Sequence, residues 1–356
     1  MVNKLKIEQK QLSLLEKLCN AVAVSGNEGE VRRIVIEELK DFADEITVDA
    51  MGNVLVRHHA KNGTVDPLKV MLDAHMDEVG FMIAAEEEEG IYTFEVVGGI
   101  DPRQLPGKLV LVGKDHTPGV IGTKPIHLLE EKEEDSPIAQ NTLRIDLGPA
   151  GKAKPGDYGS FATRFLRSGN NLFSKAIDDR IGVATLIELV KNAPENIELL
   201  ASFSVQEEIG LRGARVAAYT FAPDLAIAVD STPAFDLPRE DGNENAVYNC
   251  RLGGGPAIYL ADAGTLSDPR LIQFLCKTAE QNSIIYQFRQ PGGGGTNAGW
   301  IHRSRAGVPS VSISVPGRYA HTAVLLSRLE DWENALNLVY FTLRGITREI
   351  LETPRG

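Results

Sequence analysis

Apolar residues recur at helical spacing near the start of the chain. Leu5, Leu12, Leu15 and Leu18 do so within residues 4–22, and Val31, Ile34, Val35 and Leu39 follow the turn Ser25-Gly26-Asn27. Short apolar runs then predict strands at Ile46–Val48, Asn53–Val56 and Leu68–Leu72. Between about 79 and 165 the pattern is β-like throughout, with runs Val79–Ala84, Tyr92–Val97, Lys108–Val112 and Val120–Ile121 separated by glycine and proline turns. The acidic run Glu86–Glu89 falls at an expected hairpin tip, where adjacent carboxylates are ordinarily a solvated loop. From about 166, helices and strands alternate. A helix from Asp178 through Leu189 is followed by strand Leu199–Val205, helix Arg212–Ala218, strand Leu225–Val229 and helix Pro269–Glu280. Strands Ile284–Phe288 and Ser310–Ser314 and a helix Asp331–Ile350 complete the series.

This alternation predicts an α/β fold with a mostly parallel sheet sandwiched by helices. The helix-poor block interrupts it. The expected organisation is therefore one α/β domain, residues 1–78 and 166–356, carrying an inserted small β domain at 79–165.

Charge narrows the partners. The 356 residues include 37 basic and 49 acidic side chains, a net charge of −12, which disfavours nucleic acid as a ligand. No apolar run approaches the roughly 18 residues of a membrane helix, and the first 30 residues lack a signal-peptide core. Cys19, Cys250 and Cys276 are scattered, without a CxxC, and read as reduced thiols of a cytoplasmic protein.

The chemistry gathers at strand ends, where open α/β sheets carry their functional groups. His75 and Asp77 follow Leu68–Leu72, Glu207 and Glu208 follow Leu199–Val205, and Asp230 follows Leu225–Val229. Asp178 and Asp179 open a helix, and His321 lies beyond Ser310–Ser314. Singly, each has a plain structural explanation as a helix cap or a solvated loop residue. Capping accounts for neither the two histidines nor the paired glutamates, and the set together points to a metal site. Imidazole and carboxylate without thiolate suit zinc, cobalt or manganese in a catalytic role, and the number of donors exceeds the need of one ion. In His75-Met76-Asp77 the strand period places both side chains on one face, so Asp77 can accept from the imidazole N–H. Of the adjacent glutamates, one can be a ligand and the other the base on an activated water. The glycine run Gly292–Gly295 before Thr296-Asn297 could line a substrate cleft or be a plain flexible loop. Neither it nor Gly253–Gly255 is a phosphate loop.

Several stretches, in order, resemble the tetrahedral (TET) aminopeptidase family of di-metal peptidases, which includes glutamyl and deblocking types. They are Ala74-His75-Met76-Asp77-Glu78-Val79-Gly80, Gly99-Ile100-Asp101-Pro102, Gly122-Thr123-Lys124-Pro125, Lys175-Ala176-Ile177-Asp178-Asp179-Arg180, Gln206-Glu207-Glu208-Ile209-Gly210, Val229-Asp230-Ser231-Thr232 and Arg318-Tyr319-Ala320-His321. The resemblance implies a di-zinc exopeptidase-like fold, an inserted dimerisation domain, and dimers assembling to a dodecamer. It implies two divalent ions per subunit, held by His75, Asp178, Glu208, Asp230 and His321 with Asp178 as bridge. Two groupings follow from it: His75 with Glu208 and Asp230 with His321, or, preferred, His75 with Asp230 and Glu208 with His321. Glu207 matches the general base and Asp77 the aspartate orienting the first histidine. Asn297 and Gly317 depart from the family, which commonly has aspartate and a polar residue there. Both are expected near the substrate pocket.

The expected activity is hydrolytic release of N-terminal residues from short peptides. The alternatives are deacylation of a small acylated amine by the same chemistry, or a non-catalytic scaffold stabilised by metal. A glycosidase reading fits poorly, since that chemistry uses two carboxylates across a sugar and no metal pair.

Overall fold

The computed structural model describes residues 3–61, 66–128, 138–243, 245, 249–290 and 293–355. The first strands are β1 (Glu45–Val48), β2 (Val54–His58) and β3 (Leu68–His75). Alternation within β3 serves two cores: Val70, Leu72 and Ala74 pack on one face of the sheet and Met71 on the other. The helix-poor block forms β4 (Gly80–Glu88), β5 (Ile91–Val97), β6 (Leu109–Val112), β7 (Thr117–Gly122), β8 (Arg144–Asp146) and β9 (Tyr158–Phe161). These close into a barrel in the order β4-β5-β8-β7-β6-β9. The barrel has its own apolar cluster, in which Phe81 meets Phe94 and Phe161 edge-to-face at 5.3 and 5.1 Å. Closure leaves it no unpaired strand edge.

The chain then returns to the first sheet through β10 (Leu166–Ser168), β11 (Asn171–Ser174), β12 (Ile197–Ser204), β13 (Leu225–Pro233), β14 (Ala257–Tyr259), β15 (Gln287–Arg289), β16 (Ser310–Arg318) and β17 (Leu325–Arg328). Among the described residues the sheet runs β1-β2-β12-β3-β13-β16-β17-β11-β10, with β14 beside β16 and β15 beyond it. The expected mostly parallel sheet is corrected here to a mixed one. β12, β3, β13 and β16 are parallel neighbours, as are β14 and β15, whereas β1, β2, β17, β11 and β10 join antiparallel and β14 is antiparallel to β16. Parallel pairing requires a crossover, which helices Ile177–Lys191, Arg212–Phe221 and Pro269–Gln281 supply to the centre. β1–β2, β10–β11 and β16–β17 have only short connections, which make antiparallel pairs.

Helix Ile177–Lys191 is buried along almost its whole length, because it lies between the sheet and the outer helices Gln9–Asn20, Gly29–Leu39 and Leu329–Gly345. Arg212–Phe221 covers the opposite face with Ala214, Ala217, Ala218 and Phe221. The last long helix stops at Gly345 instead of Ile350, with Ile346 already extended. β15 is shorter than its apolar run suggested: Ser283 turns at φ 50° and pairing begins only at Gln287.

Where β3 ends, a buried ion cluster ties three parts of the chain together. Lys175 Nζ donates to both carboxylate oxygens of Glu78 at 2.8 Å and to the Ala21 carbonyl at 2.7 Å. Arg180 Nη2 reaches Glu78 at 3.1 Å, and Arg180 Nη1 donates to the carbonyls of Met76 and Asp77. Glu78 also accepts the Ala23 backbone N–H at 3.0 Å. Replacing Glu78 by Gln leaves two buried cations without a counter-charge. The expected loss of stability is about 3–5 kcal/mol, read as a lower urea midpoint. An unchanged midpoint would show that the cluster does not hold the fold.

Candidate active site

The four parallel strands deliver their carboxyl ends to one cavity of about 370 Å³. His75 is the last residue of β3, Asp230 lies within β13, Glu207 and Glu208 follow β12, and His321 follows β16; these five and Asp178 line the cavity, whereas Asp77 and Asp179 do not. Left-handed backbone at Ala176, Gln206, Tyr319 and His321 marks the points where the chain leaves regular structure beside the site. Asp178 and Asp179 fall inside the first turn of their helix but have non-helical dihedrals, so the loop aims Asp178 rather than the helix.

The donors form two groups. His75 Nε2 lies 3.4 Å from Asp178 Oδ1 and 3.6 Å from Asp230 Oδ1. His321 Nε2 lies 3.6 Å from Asp178 Oδ2 and 3.4 Å from Glu208 Oε2. These separations are long for N–H···O hydrogen bonds. They match two ligands that each sit about 2.1 Å from one tetrahedral ion, which are about 3.4 Å apart. The two oxygens of Asp178 face different histidines, the arrangement a bridging carboxylate needs. The donor set therefore fits divalent cations: beside Asp178, His75 has Asp230 at 3.6 Å and His321 has Glu208 at 3.4 Å, and His75, Asp178 and Glu208 also offer donor atoms within 4.8 Å of one another. Asp179 also lies within 4.8 Å of His75 and Asp230. Its carboxylate is engaged by the backbone N–H groups of Gly182 at 2.9 Å and His75 at 3.3 Å, so it anchors the turn.

Both imidazoles are oriented from behind. His75 Nδ1 is 3.2 Å from the Asp77 carbonyl, with the Asp77 carboxylate further off at 3.6 Å. His321 Nδ1 is 2.9 Å from the Gly99 carbonyl. With each Nδ1 carrying the proton, each Nε2 is free as a ligand. Gly99 lies just past β5, so a residue of the barrel segment orients the second histidine; a backbone carbonyl leaves no chemical signal in the sequence.

Asp77 does more than its spacing suggested. Its carboxylate accepts from Ser25 Oγ at 2.5 Å and from the backbone N–H groups of Glu207 at 3.0 Å and Glu208 at 3.1 Å. It thus fixes the turn that presents both glutamates.

The site concentrates negative charge in a buried place. Burial, reinforced by neighbouring carboxylates and opposed by His75, holds Glu207 well above the usual carboxylate range. Burial likewise lifts Glu208 to about 8 and Asp230 to about 6, against the pull of His321 and His75 respectively. Burial would also raise Asp178, but the two imidazoles outweigh it and hold this carboxyl below its ordinary value. Burial would lower His75, yet Glu207, Asp178, Asp230 and Asp77 push it well above its usual value. Such an excess of carboxylate is what bound divalent cations neutralise.

Two sequence expectations are relocated. Asn297 does not line the cavity: it is buried beneath it, donating to Asp73 Oδ1 at 2.6 Å and Ser204 Oγ at 2.9 Å. Gly317 is also absent from the wall, and a Cβ there would come within 2.5 Å of Leu325 Cδ2, so a larger residue would require that side chain to shift. Gly293–Gly295 do line the cavity, while Gly253 and Gly255 serve the fold by donating their N–H groups to Asp331. Gly292 lies outside the described residues. Tyr259 and Arg289 complete one wall, although no spacing in the sequence marked either.

An α/β core whose strand ends gather paired imidazole–carboxylate clusters defines a metallopeptidase. The chain belongs to the M42 glutamyl aminopeptidase family, whose model matches residues 52–338, and is a hydrolase acting on peptide bonds. Lysyl aminopeptidase of Pyrococcus furiosus is 33% identical over 91% of this chain and 94% of that one. An aminopeptidase of the archaeon Desulfurococcus kamchatkensis superposes with a TM-score of 0.90 at 33% identity, covering 98% of each chain. The Pyrococcus horikoshii TET1 peptidase, which can assemble into a tetrahedron or a large octahedral shell, gives 0.82 at 31% identity over 94% of this chain and 100% of that one.

Proposed function

We propose that the chain is a two-metal aminopeptidase that releases N-terminal residues from short peptides, with Glu207 as general base. The observation that carries this reading is Asp178 facing two histidines with separate oxygens, at 3.4 and 3.6 Å. His75, Asp230, His321 and Glu208 would hold zinc or cobalt, with manganese a further candidate, and Asp178 would bridge. Two such ions, when bound, lower the pKa of a water between them and polarise the scissile carbonyl. Glu207 removes the proton of the attacking water and returns it to the leaving amine. Burial suits it to this, because a carboxyl that binds a proton strongly can hold one between the two transfers. Asp77 is a positioning residue, holding the backbone of Glu207 and Glu208. A cavity of about 370 Å³ admits the end of a peptide and excludes a folded protein.

Exhaustive chelation should abolish activity, and zinc, cobalt or manganese should restore it. Glu207→Gln keeps the shape and removes the proton acceptor; turnover should fall by about 10²–10⁴ while two ions stay bound. Glu208→Gln should lose metal as well. Full activity in a verified metal-free preparation, or loss of metal from Glu207→Gln with retention in Glu208→Gln, would overturn the assignment.

Subunit pairing through the barrel is part of the same reading. Exposed apolar side chains Leu109, Leu128 and Ile138 lie on this insert, and none of them lines the cavity. Light scattering should give an oligomer for the wild type and a smaller species for the double variant Leu109→Asp, Leu128→Asp. A wild-type monomer at micromolar concentration would refute the pairing.

A further inference from the structure

Helix Arg212–Phe221 and the segment Trp300–Arg305 line a second cavity of about 370 Å³, which shares no lining residue with the active site. Its charged lining is entirely basic: Arg215, Arg303 and Arg305, beside the aromatic rings of Tyr219 and Trp300. Rings, not acids, hold these cations. Arg215 and Arg303 lie 4.7 and 4.9 Å from the centre of the same Trp300 ring, and Arg305 lies 4.2 Å from that of Tyr219. Arg303 Nε donates to the Gly299 carbonyl at 2.8 Å, and Arg305 Nε and Nη2 donate to the Tyr219 carbonyl at 2.8 and 2.5 Å. Among the described residues, the Arg215 guanidinium and the Nη1 groups of Arg303 and Arg305 have no acceptor, and no carboxylate lies within 4.0 Å of any of the three. Arg57, Arg144 and Arg318 behave differently, each meeting an acid: Glu198, Glu87 and Asp236 respectively. In a chain of net charge −12, the cavity is thus a local positive field with unused donors.

We propose that this cavity binds a phosphate group, either free or carried on a small organic ester, at a site separate from the catalytic centre. A carboxylate offers one charge and two oxygens, which a single guanidinium fork satisfies. Three guanidiniums match instead the three outer oxygens and roughly −2 charge of a phosphate monoester. Stacking on a ring fixes the plane of each fork and leaves its edge N–H groups for an oxyanion. Arg215 and Arg303 repel one another beside Trp300, and an anion bound to both relieves that repulsion. Tyr219, 62% exposed, and Trp300 give apolar surface for the organic part of an ester. The proposal does not depend on the aminopeptidase reading, since binding is read without a peptide.

Tryptophan fluorescence tests it. The chain has two tryptophans, and Trp332 is buried in the core against Thr185, so a response to added anion reports Trp300. Metal-loaded full-length protein is titrated with inorganic phosphate, phenyl phosphate and benzoate, with sodium chloride at matched ionic strength as the blank. Both phosphates should give a saturable change that benzoate and chloride do not. Arg215→Gln and Arg303→Gln should each weaken it by about ten- to a hundredfold, and Trp300→Phe should remove it. Tighter binding of phenyl phosphate identifies an ester as the ligand; equal binding identifies free phosphate. Phosphate taken up by the catalytic metals would appear in calorimetry, persist in the arginine variants and leave Trp300 silent. That pattern, or a benzoate response equal to that of phenyl phosphate, overturns the proposal. So does a wild type whose Trp300 ignores phosphate while Arg215→Gln lowers the mass seen by light scattering, because the arginines then meet a second copy of the chain. Poor folding of the variants leaves the wild-type comparison of phosphates with benzoate and chloride to decide.

Discussion

The buried carboxylate of Glu78 is the constraint on which the site depends. With Lys175 and Arg180 it joins the end of β3 to the segment that carries Asp178. Arg180 reaches past Glu78 to the carbonyls of Met76 and Asp77, so one guanidinium fixes the turn just after His75. Asp77 passes the constraint on, because its carboxylate binds the N–H groups of Glu207 and Glu208. Three separated stretches of sequence are thereby held in register by charge-assisted hydrogen bonds in a buried place, where such bonds are strong and a missing partner is costly.

That rigidity is needed because the site is electrostatically unfavourable by itself. Asp178, Asp230, Glu207 and Glu208 crowd into one cavity, and burial lifts Glu207, Glu208 and Asp230 toward protonation. Backbone groups and imidazoles hold the carboxylates in place without cancelling their charge. The barrel takes part through Gly99, whose carbonyl orients His321 across the junction between the inserted strands and the sheet. The insert is thus joined to the chemistry of its own subunit.

The chemistry-bearing side chains were legible in the sequence because they sit where parallel strands end, and those strands announce themselves as apolar runs. His75, Asp178, Glu207, Glu208, Asp230 and His321 come together around one cavity. What stayed hidden was supplied by backbone or by distant pairing. The Gly99 carbonyl has no side chain to notice, and the antiparallel edges of the sheet depend on connections rather than composition. Asn297 looked like a pocket residue by its neighbours Gly293–Thr296, yet it turns inward to Asp73, a residue on β3.

The central claim is that one carboxylate, Asp178, is shared between two cation sites of defined composition. Anomalous scattering from crystals loaded with zinc tests it directly. Two peaks are expected about 3.5–4 Å apart, one against His75 and Asp230, the other against His321 and Glu208, each touching a different oxygen of Asp178. A single peak, or two peaks whose ligands omit Asp178, would contradict the account.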